Sequence, residues 1–245
     1  MRTVHPLILI ALVTAGCARP GAGTTGAAPA SASRDTSAHA AGGAHAASTT
    51  VPVPGGCSVR RTTPSDAVGC YVAAIDTLGV LPTSPVYWHL DSYPTRAAAE
   101  AGRGGRGTIA EAHGRVWLFT IADAEWRPTA GERVARVGPL PHSSGRAYVA
   151  YFIEGVVPPG ARTPAHRHAG PEAWYVLEGT NCLQTPDEVR TARAGESLII
   201  QEGPPMILTG VGQTTRRSLA LVLHDASQPW SIVTPSFTPK ASCPG

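Results

Sequence analysis

Several features that would identify common classes of function are missing from this chain of 245 residues. It contains no Gly-x-Ser-x-Gly motif, which argues against a serine hydrolase with a nucleophile elbow. It contains no phosphate-binding loop and no dinucleotide fingerprint. Charged residues make up only 15% of the chain and the formal net charge is +3, which argues against a nucleic-acid partner. The scattered arginines are interpreted as solvated loop charges: Arg103, Arg106, Arg216 and Arg217.

The chain also lacks a hydrophobic run long enough to span a bilayer at its N-terminus. Arg2 precedes a short apolar run at 7–13, which is typical of a secretory signal peptide over residues 1–16. The run ends in Leu-Val-Thr-Ala-Gly-Cys17, which resembles a bacterial lipobox. That resemblance implies lipidation of Cys17 and, because Ala18 follows it, a periplasmic lipoprotein anchored in the outer membrane. The alternative is an ordinary cleaved signal peptide in which Cys17 is incidental.

Aromatic residues are absent from residues 18–56, which consist almost entirely of Ala, Gly, Ser, Thr and Pro. Such a composition cannot bury a hydrophobic core, so residues 17–56 are predicted to be a disordered, lipidated tether. A flexible chain of this length holds a domain about 35 Å from its anchor. His39 and His45 lie in this segment and are interpreted as passengers.

Cysteines are few, with five in the whole chain. Export permits disulfides, and setting Cys17 aside leaves four cysteines with three possible pairings. The favoured pairing joins Cys57 with Cys70 and Cys182 with Cys243. The alternative is that Cys182 is a buried free thiol.

The densest group of candidate metal ligands lies in the stretch 160–179. His166 and His168 are two residues apart, so in an extended strand their imidazoles face the same side. Glu172 has the same parity and can return to them after a turn at Gly170. Two imidazoles and one carboxylate form a divalent-metal site with open coordination positions. The alternative is a hydrogen-bonded polar cluster without metal.

This stretch resembles the first signature motif of the cupins, spacing for spacing. The matching residues are Gly160, His166, His168, Glu172 and Gly179. The second cupin motif is incomplete: Gly195 and Gly203 are present, but Gln201 replaces the usual proline and Met206 the third histidine. The resemblance covers roughly residues 146–230 and implies an antiparallel double-stranded β-helix, or jelly-roll barrel. The family is so varied that this fold does not fix the chemistry.

Met206 bears on which metal the site would prefer. A thioether is a poor ligand for Fe, Mn or Zn and a fair one for copper(I), so the site uses three protein ligands plus water or prefers a soft metal. Alternatively, Met206 lines a pocket for an organic ligand. The other candidates for the pocket lining are Trp174, Val176, Gln201 and His224.

Short segments separated by glycine and proline predict the barrel strands, within a domain at 142–231 that precedes a C-terminal tail at 232–245. The predicted strands are 148–157, 162–168, 173–177, 180–184, 197–201, 205–209 and 218–224. Alternating leucines from Leu219 to Leu223 give the last strand one apolar face.

The region 57–141 is predicted to be either an N-terminal α+β extension or a degenerate second cupin half, in a chain that is mainly β. The second alternative depends on a weak similarity between 115–124 and 217–226. Its predicted elements are helices at 67–77 and at 95–101, the latter with Thr95 as N-cap, and strands at 85–90, 114–121 and 134–137.

Two functions follow from different classes. The first is a metal-dependent enzyme, of oxidoreductase or isomerase type, acting on a small oxygenated compound through Mn, Fe, Zn or Cu. The second is a metal-free, non-catalytic cupin that captures a small molecule in the barrel mouth. The sequence identifies no general base or nucleophile beyond the candidate ligands. Cupin resemblance also implies a homodimer paired through barrel edges.

Overall fold

Strands dominate the structure, a computed structural model that describes residues 57–59 and 67–244. All of these residues belong to one unit, Ala46–Gly245. The predictions for the signal peptide, Cys17 and the whole tether at 17–56 lie outside the described residues. No helix in the described part is long and apolar enough to cross a membrane.

The described backbone forms one helix, α1 (Arg96–Gly102), and a series of strands. In chain order the strands are β1 (Ser58–Val59), β2 (Gly69–Val80), β3 (Tyr87–Tyr93), β4 (Thr108–Ala112), β5 (Arg115–Ala122), β6 (Glu132–Val137), β7 (Ala147–Val157), β8 (His166–Arg167), β9 (Glu172–Glu178), β10 (Thr180–Gln184), β11 (Val189–Arg193), β12 (Ser197–Ile200), β13 (Ile207–Val211), β14 (Arg216–Asp225) and β15 (Ile232–Val233).

A six-stranded sheet in the order β1-β2-β7-β14-β9-β12 is the centre of the fold. A three-stranded sheet, β11-β10-β13, closes the barrel, and the short pair β15-β8 lies near the candidate ligands. Apolar side chains from the six-stranded and three-stranded sheets form the barrel core, among them Trp174, Leu183, Leu208 and Val222. This is the antiparallel jelly-roll architecture that the sequence predicted.

The outer face of the six-stranded sheet is also buried. A four-stranded sheet, β4-β5-β3-β6, packs its apolar residues against that face. Phe119 of β5 stacks on Phe152 of β7 with ring centroids 4.9 Å apart, and Trp88 lies 5.8 Å from Phe119. Since both faces of β7 and β14 are covered, nearly every residue of β14 is buried, polar ones included.

The region before residue 142 is an open sheet with one short helix, and it also supplies β2, which pairs with β7. This corresponds to the α+β extension. The helix predicted at 95–101 is confirmed, because the Thr95 side chain accepts a hydrogen bond from Ala98 N. The helix predicted at 67–77 is wrong, because Gly69–Val80 forms β2. Ladder pairing and burial against β7 outweigh the local composition there.

The sequence predicted the other barrel strands well. The predicted strand 162–168 is shorter than expected, with only His166–Arg167 in β8. Besides β2, four strands were missed: Ser58–Val59, Thr108–Ala112, Val189–Arg193 and Ile232–Val233. The predicted C-terminal tail contains β15, which pairs with β8, and both favoured disulfides are formed, Cys57–Cys70 and Cys182–Cys243.

Gly170 lets the turn between the histidines and Glu172 lie directly against β14. Leu223 N donates to Pro171 O at 2.9 Å, and a Cβ built on Gly170 would overlap the carbonyl oxygen of Leu223. A side chain at position 170 would therefore push the turn away from the sheet. The position of Glu172 depends on this close backbone contact.

We expect Gly170→Ala to lower the free energy of unfolding by about 3 kcal/mol, the upper end for overpacking, because the clash is with backbone. The control is Gly195→Ala, where φ is +86° and no atom lies within 4 Å of the added Cβ. That variant should lose about 1 kcal/mol from backbone strain alone. Urea unfolding measures both values, and equal losses would contradict the close-contact explanation.

Candidate metal centre and adjoining cavity

Three side chains converge at one end of the barrel. Hydrogen bonds hold His166 opposite Met206: His166 N donates to Met206 O at 3.1 Å and Met206 N donates to His166 O at 2.7 Å. Glu172 begins β9 after the tight turn at Gly170. His166, His168 and Glu172 each offer one ligand atom, and these atoms all lie within 4.8 Å of one another. The structure therefore brings together the three residues that the sequence spacing predicted to be metal ligands.

Backbone carbonyls orient both imidazoles. His166 Nδ1 lies 2.8 Å from Pro164 O, and His168 Nδ1 hydrogen-bonds to Trp230 O. A carbonyl oxygen only accepts, so Nδ1 carries the proton in each ring and the neutral imidazole has its lone pair on Nε2. Such hydrogen bonds at the far nitrogen are typical of metal-binding histidines.

Two buried polar atoms in this group have no hydrogen-bond partner among the described residues. They are His168 Nε2 and Glu172 Oε2, which lie 3.0 Å apart, and with the His168 proton on Nδ1 neither of them can donate to the other. Buried polar atoms without partners are costly and uncommon in proteins. Two Nε2 lone pairs and a carboxylate oxygen facing one point fit a divalent cation, so the residues present fit the metal that the cupin motif implies.

The two histidines differ in their electrostatic environment. Burial lowers the pKa of His166 below its ordinary value, more than the neighbouring Glu172 carboxylate raises it. Burial is the largest single effect on His168 and lowers its pKa, but the charge and hydrogen bonding of Glu172 and the hydrogen bond to Trp230 O together outweigh burial, so the net pKa is raised. His166 is therefore neutral at pH 7, as a ligand must be. His168 is the histidine from which a cation would have to displace a proton.

A cavity of about 410 Å³ adjoins the three side chains, a volume suited to a small organic molecule. Apolar side chains make up most of its lining, including Ile153, Val157, Trp174, Leu208 and Trp230. The disulfide Cys57–Cys70 forms part of the wall. The metal ligands thus open onto a mainly apolar chamber.

Of the side chains expected to line the pocket, only Trp174 lies in this cavity. Met206 and Val176 are buried in the barrel core, and Gln201 is exposed and lines a separate surface depression. His224 is buried with its ring 5.3 Å from that of Tyr151, outside the group of ligand atoms. Parity alone did not separate lining from core, because Val176 shares the parity of Trp174 and yet packs in the barrel core.

The interpretation of Arg216 as a solvated loop charge is wrong. Arg216 begins β14, is 4% exposed and lines the cavity. Its parity with Ser218 and Ala220, which also line the cavity, was the signal available in the sequence. Trp230 was also missed, because nothing local indicates that this residue, which follows the last predicted barrel strand, folds back onto His168. Arg217, the next residue, points the other way and pairs with Glu178 at 3.3 Å.

Comparison with known proteins gives one family match. A family model described as a cupin domain matches residues 154–213. Comparison with curated proteins gives no match.

Three of the solved structures that are similar to this chain are compared with it by identity, coverage and TM-score. An oxalate oxidase in complex with the substrate analogue glycolate is 20% identical, with 36% of this chain and 46% of that chain covered and a TM-score of 0.30. A cupin-like protein from Thermotoga maritima is 18% identical, with 36% and 64% covered and a TM-score of 0.31. The polyketide cyclase RemF from Streptomyces resistomycificus is 23% identical, with 38% and 63% covered and a TM-score of 0.29.

This chain spans less than two thirds of each of these proteins, and such low similarity carries no information about substrate or activity. The family match coincides with the antiparallel barrel that holds the two histidines and the glutamate. Residues 154–213 of this chain therefore form a region that matches the cupin domain.

Proposed function

We propose that His166, His168 and Glu172 bind a divalent metal ion and that a small organic molecule occupies the adjoining cavity. The observation that carries this proposal is the convergence of one ligand atom from each of the three side chains within 4.8 Å, with His168 Nε2 and Glu172 Oε2 buried 3.0 Å apart. A cation between the three ligand atoms would satisfy both. When bound, such an ion supplies open coordination positions and polarises an oxygen of the bound molecule.

The residues of this chain prepare the site in two ways. The carbonyls of Pro164 and Trp230 fix the imidazole orientation, so no ordering of these rings is needed on binding. Trp174 and Trp230 line the cavity beside the site with apolar surface. If the protein is an enzyme, we propose that it is a metal-dependent oxidoreductase or isomerase.

Met206 narrows the choice of metal. Its side chain is 1% exposed and packs in the barrel core, apart from the cavity lining. We therefore propose three protein ligands plus water, an arrangement suited to Mn, Fe or Zn, over a thioether site for copper(I).

The metal proposal is tested by elemental mass spectrometry of the purified protein, prepared without a histidine tag. The protein is incubated with Mn, Fe, Ni, Cu and Zn and then freed of excess ion. We expect about one equivalent of metal in the wild type and a loss of at least about tenfold in Glu172→Gln, which keeps the shape but removes the charge. The double variant His39→Ala, His45→Ala removes the tether histidines and should keep its metal.

A folded wild type that remains empty after these incubations would contradict the metal site. That outcome would favour the second candidate, a metal-free cupin that binds a small molecule. The mainly apolar lining of the cavity supports this alternative, because such a lining can hold a ligand without metal.

We further propose that the protein is exported and anchored through a lipid on Cys17, in the periplasm at the outer membrane. The lipobox-like sequence supports this, as do the two disulfides, which form in oxidising compartments. Assembly as a homodimer is a further proposal that rests on the cupin resemblance.

We expect the wild type, expressed in a bacterium with an outer membrane, to sediment with membranes, since more than one acyl chain gives stable anchoring. Cys17→Ser should move most of the protein to the soluble periplasmic fraction. Ala18→Ser is the matched control and should remain in the membrane fraction. Equal membrane association of Cys17→Ser and the wild type would contradict lipid anchoring.

A further inference from the structure

Arg216 is a buried cation in the wall of the ligand cavity. It begins β14, whose inward side chains Arg216, Ser218 and Ala220 all line the chamber. On the neighbouring strand β7, Val157 pairs with Arg216 and Gly155 pairs with Ser218. The guanidinium therefore belongs to the same chamber as the candidate metal ligands, although it is not one of them.

The hydrogen-bonding capacity of this guanidinium is only partly used. Nη1 donates to Asn181 Oδ1 at 2.9 Å, which fixes the plane of the group. Nε is buried and has no hydrogen-bond partner among the described residues. A guanidinium presents five N–H donors in a fixed fork, and the geometry that it matches best is a planar carboxylate.

No carboxylate hydrogen-bonds to Arg216 within the described part of the chain. Burial lowers the pKa of Arg216 to about 10, while the charge of Glu172 acts in the opposite direction. Arg216 is therefore still a cation at pH 7. A buried charge without a directly bonded partner is costly, which is why such charges mark sites where a ligand supplies the counter-charge.

Space for a ligand exists beside the guanidinium. Gly155 lines the cavity, and a Cβ built on it would lie 3.1 Å from Ser218 Oγ and 3.4 Å from Arg216 Nη2. Glycine at 155 thus leaves open the volume next to one edge of the fork. The hydroxyl of Ser218 borders the same volume and can donate a further hydrogen bond.

From these observations we propose that the cavity binds a small organic carboxylate, with its carboxylate on Arg216 and its apolar body between Trp174, Trp230 and Ile153. The proposal rests on the proposed function, in that a small molecule occupies this cavity, and it names the class of that molecule. One cation and one hydroxyl suit a singly charged, planar group better than a phosphate, which needs more donors and more charge. Asn181 is a positioning residue, because it holds the guanidinium and does not line the cavity.

Metal binding strengthens the preference for an anion. Within residues 57–59 and 67–244, Glu172 is the carboxylate whose charge raises the pKa of Arg216. A divalent ion on the two histidines and Glu172 would leave the chamber with a net charge of +2, counting Arg216. An anionic ligand should therefore bind more tightly to the metal-loaded protein than to the metal-free protein, and by linkage the metal should bind more tightly in its presence.

Isothermal titration calorimetry of the full chain with two matched pairs of probes tests the proposal. The pairs are hexanoate with hexanamide and benzoate with benzamide, which differ in charge and hardly in shape. We expect at least one acid to bind at least about tenfold more tightly than its amide, as a charge-assisted hydrogen bond predicts. Inorganic phosphate is the third probe and should bind more weakly than that acid.

Variants of Arg216 locate the effect. Arg216→Met has a similar length without charge and should abolish the preference for the acid, whereas Arg216→Lys should retain part of it. Gly155→Ala keeps the charge of Arg216 but fills the space beside Arg216 Nη2. This variant should bind the acid more weakly. Metal content, measured on the same samples, should be unchanged in all three variants because none of them alters a ligand.

The outcomes separate this inference from the metal proposal. Equal binding of acids and amides, no binding of any acid, tighter binding of phosphate, or an acid preference that survives in Arg216→Met would overturn the carboxylate site, whatever the metal content. The comparison of acid with amide uses only the wild type, so it stands even where Arg216→Met fails to fold. A wild type without metal that still prefers acids to amides supports the carboxylate site and contradicts only the metal centre.

Discussion

The hydrogen bond from His168 Nδ1 to Trp230 O is the contact on which the site depends. It fixes the tautomer of His168 and turns the Nε2 lone pair toward Glu172. The same contact brings the C-terminal segment onto the barrel, where β15 pairs with β8 and Trp230 stacks on the His168 ring at 5.8 Å. One carbonyl therefore links the orientation of a candidate metal ligand to the closure of the cavity above it.

The described part of the protein does not by itself supply a partner for every polar group of this chamber, either at the histidines or at Arg216. Glu172 lies 3.0 Å from the imidazole of His168, and its charge also raises the pKa of Arg216, so a single carboxylate acts on both groups. Covering both faces of the six-stranded sheet makes this possible, since water is excluded from β14 along nearly its whole length. A metal ion at the histidines and an anion at the arginine would together satisfy groups that the fold leaves unsatisfied.

The sequence predicted those parts of the structure that depend on local pattern. The spacing of His166, His168 and Glu172 predicted their convergence, and Thr95 predicted the start of α1. Parts that depend on distant pairing were missed. The segment 67–77 has a composition compatible with a helix, but β7 offers it a full antiparallel partner and it forms β2. Arg216 was assigned to the surface because its charge was given more weight than its parity with Ser218. The burial of this end of β14 depends on Asn181 and on a sheet formed elsewhere in the chain, which local sequence does not reveal.

The most direct test of the central claim is a crystal structure of the protein soaked in Mn²⁺ or Zn²⁺, with anomalous diffraction recorded above and below the absorption edge of the metal. The account predicts one strong anomalous peak, about 2.0 to 2.3 Å from His166 Nε2, His168 Nε2 and Glu172 Oε2. Both Nδ1 hydrogen bonds should be retained. An ordered site with these three side chains in place and no peak between them, or a peak bound elsewhere, would contradict the metal centre.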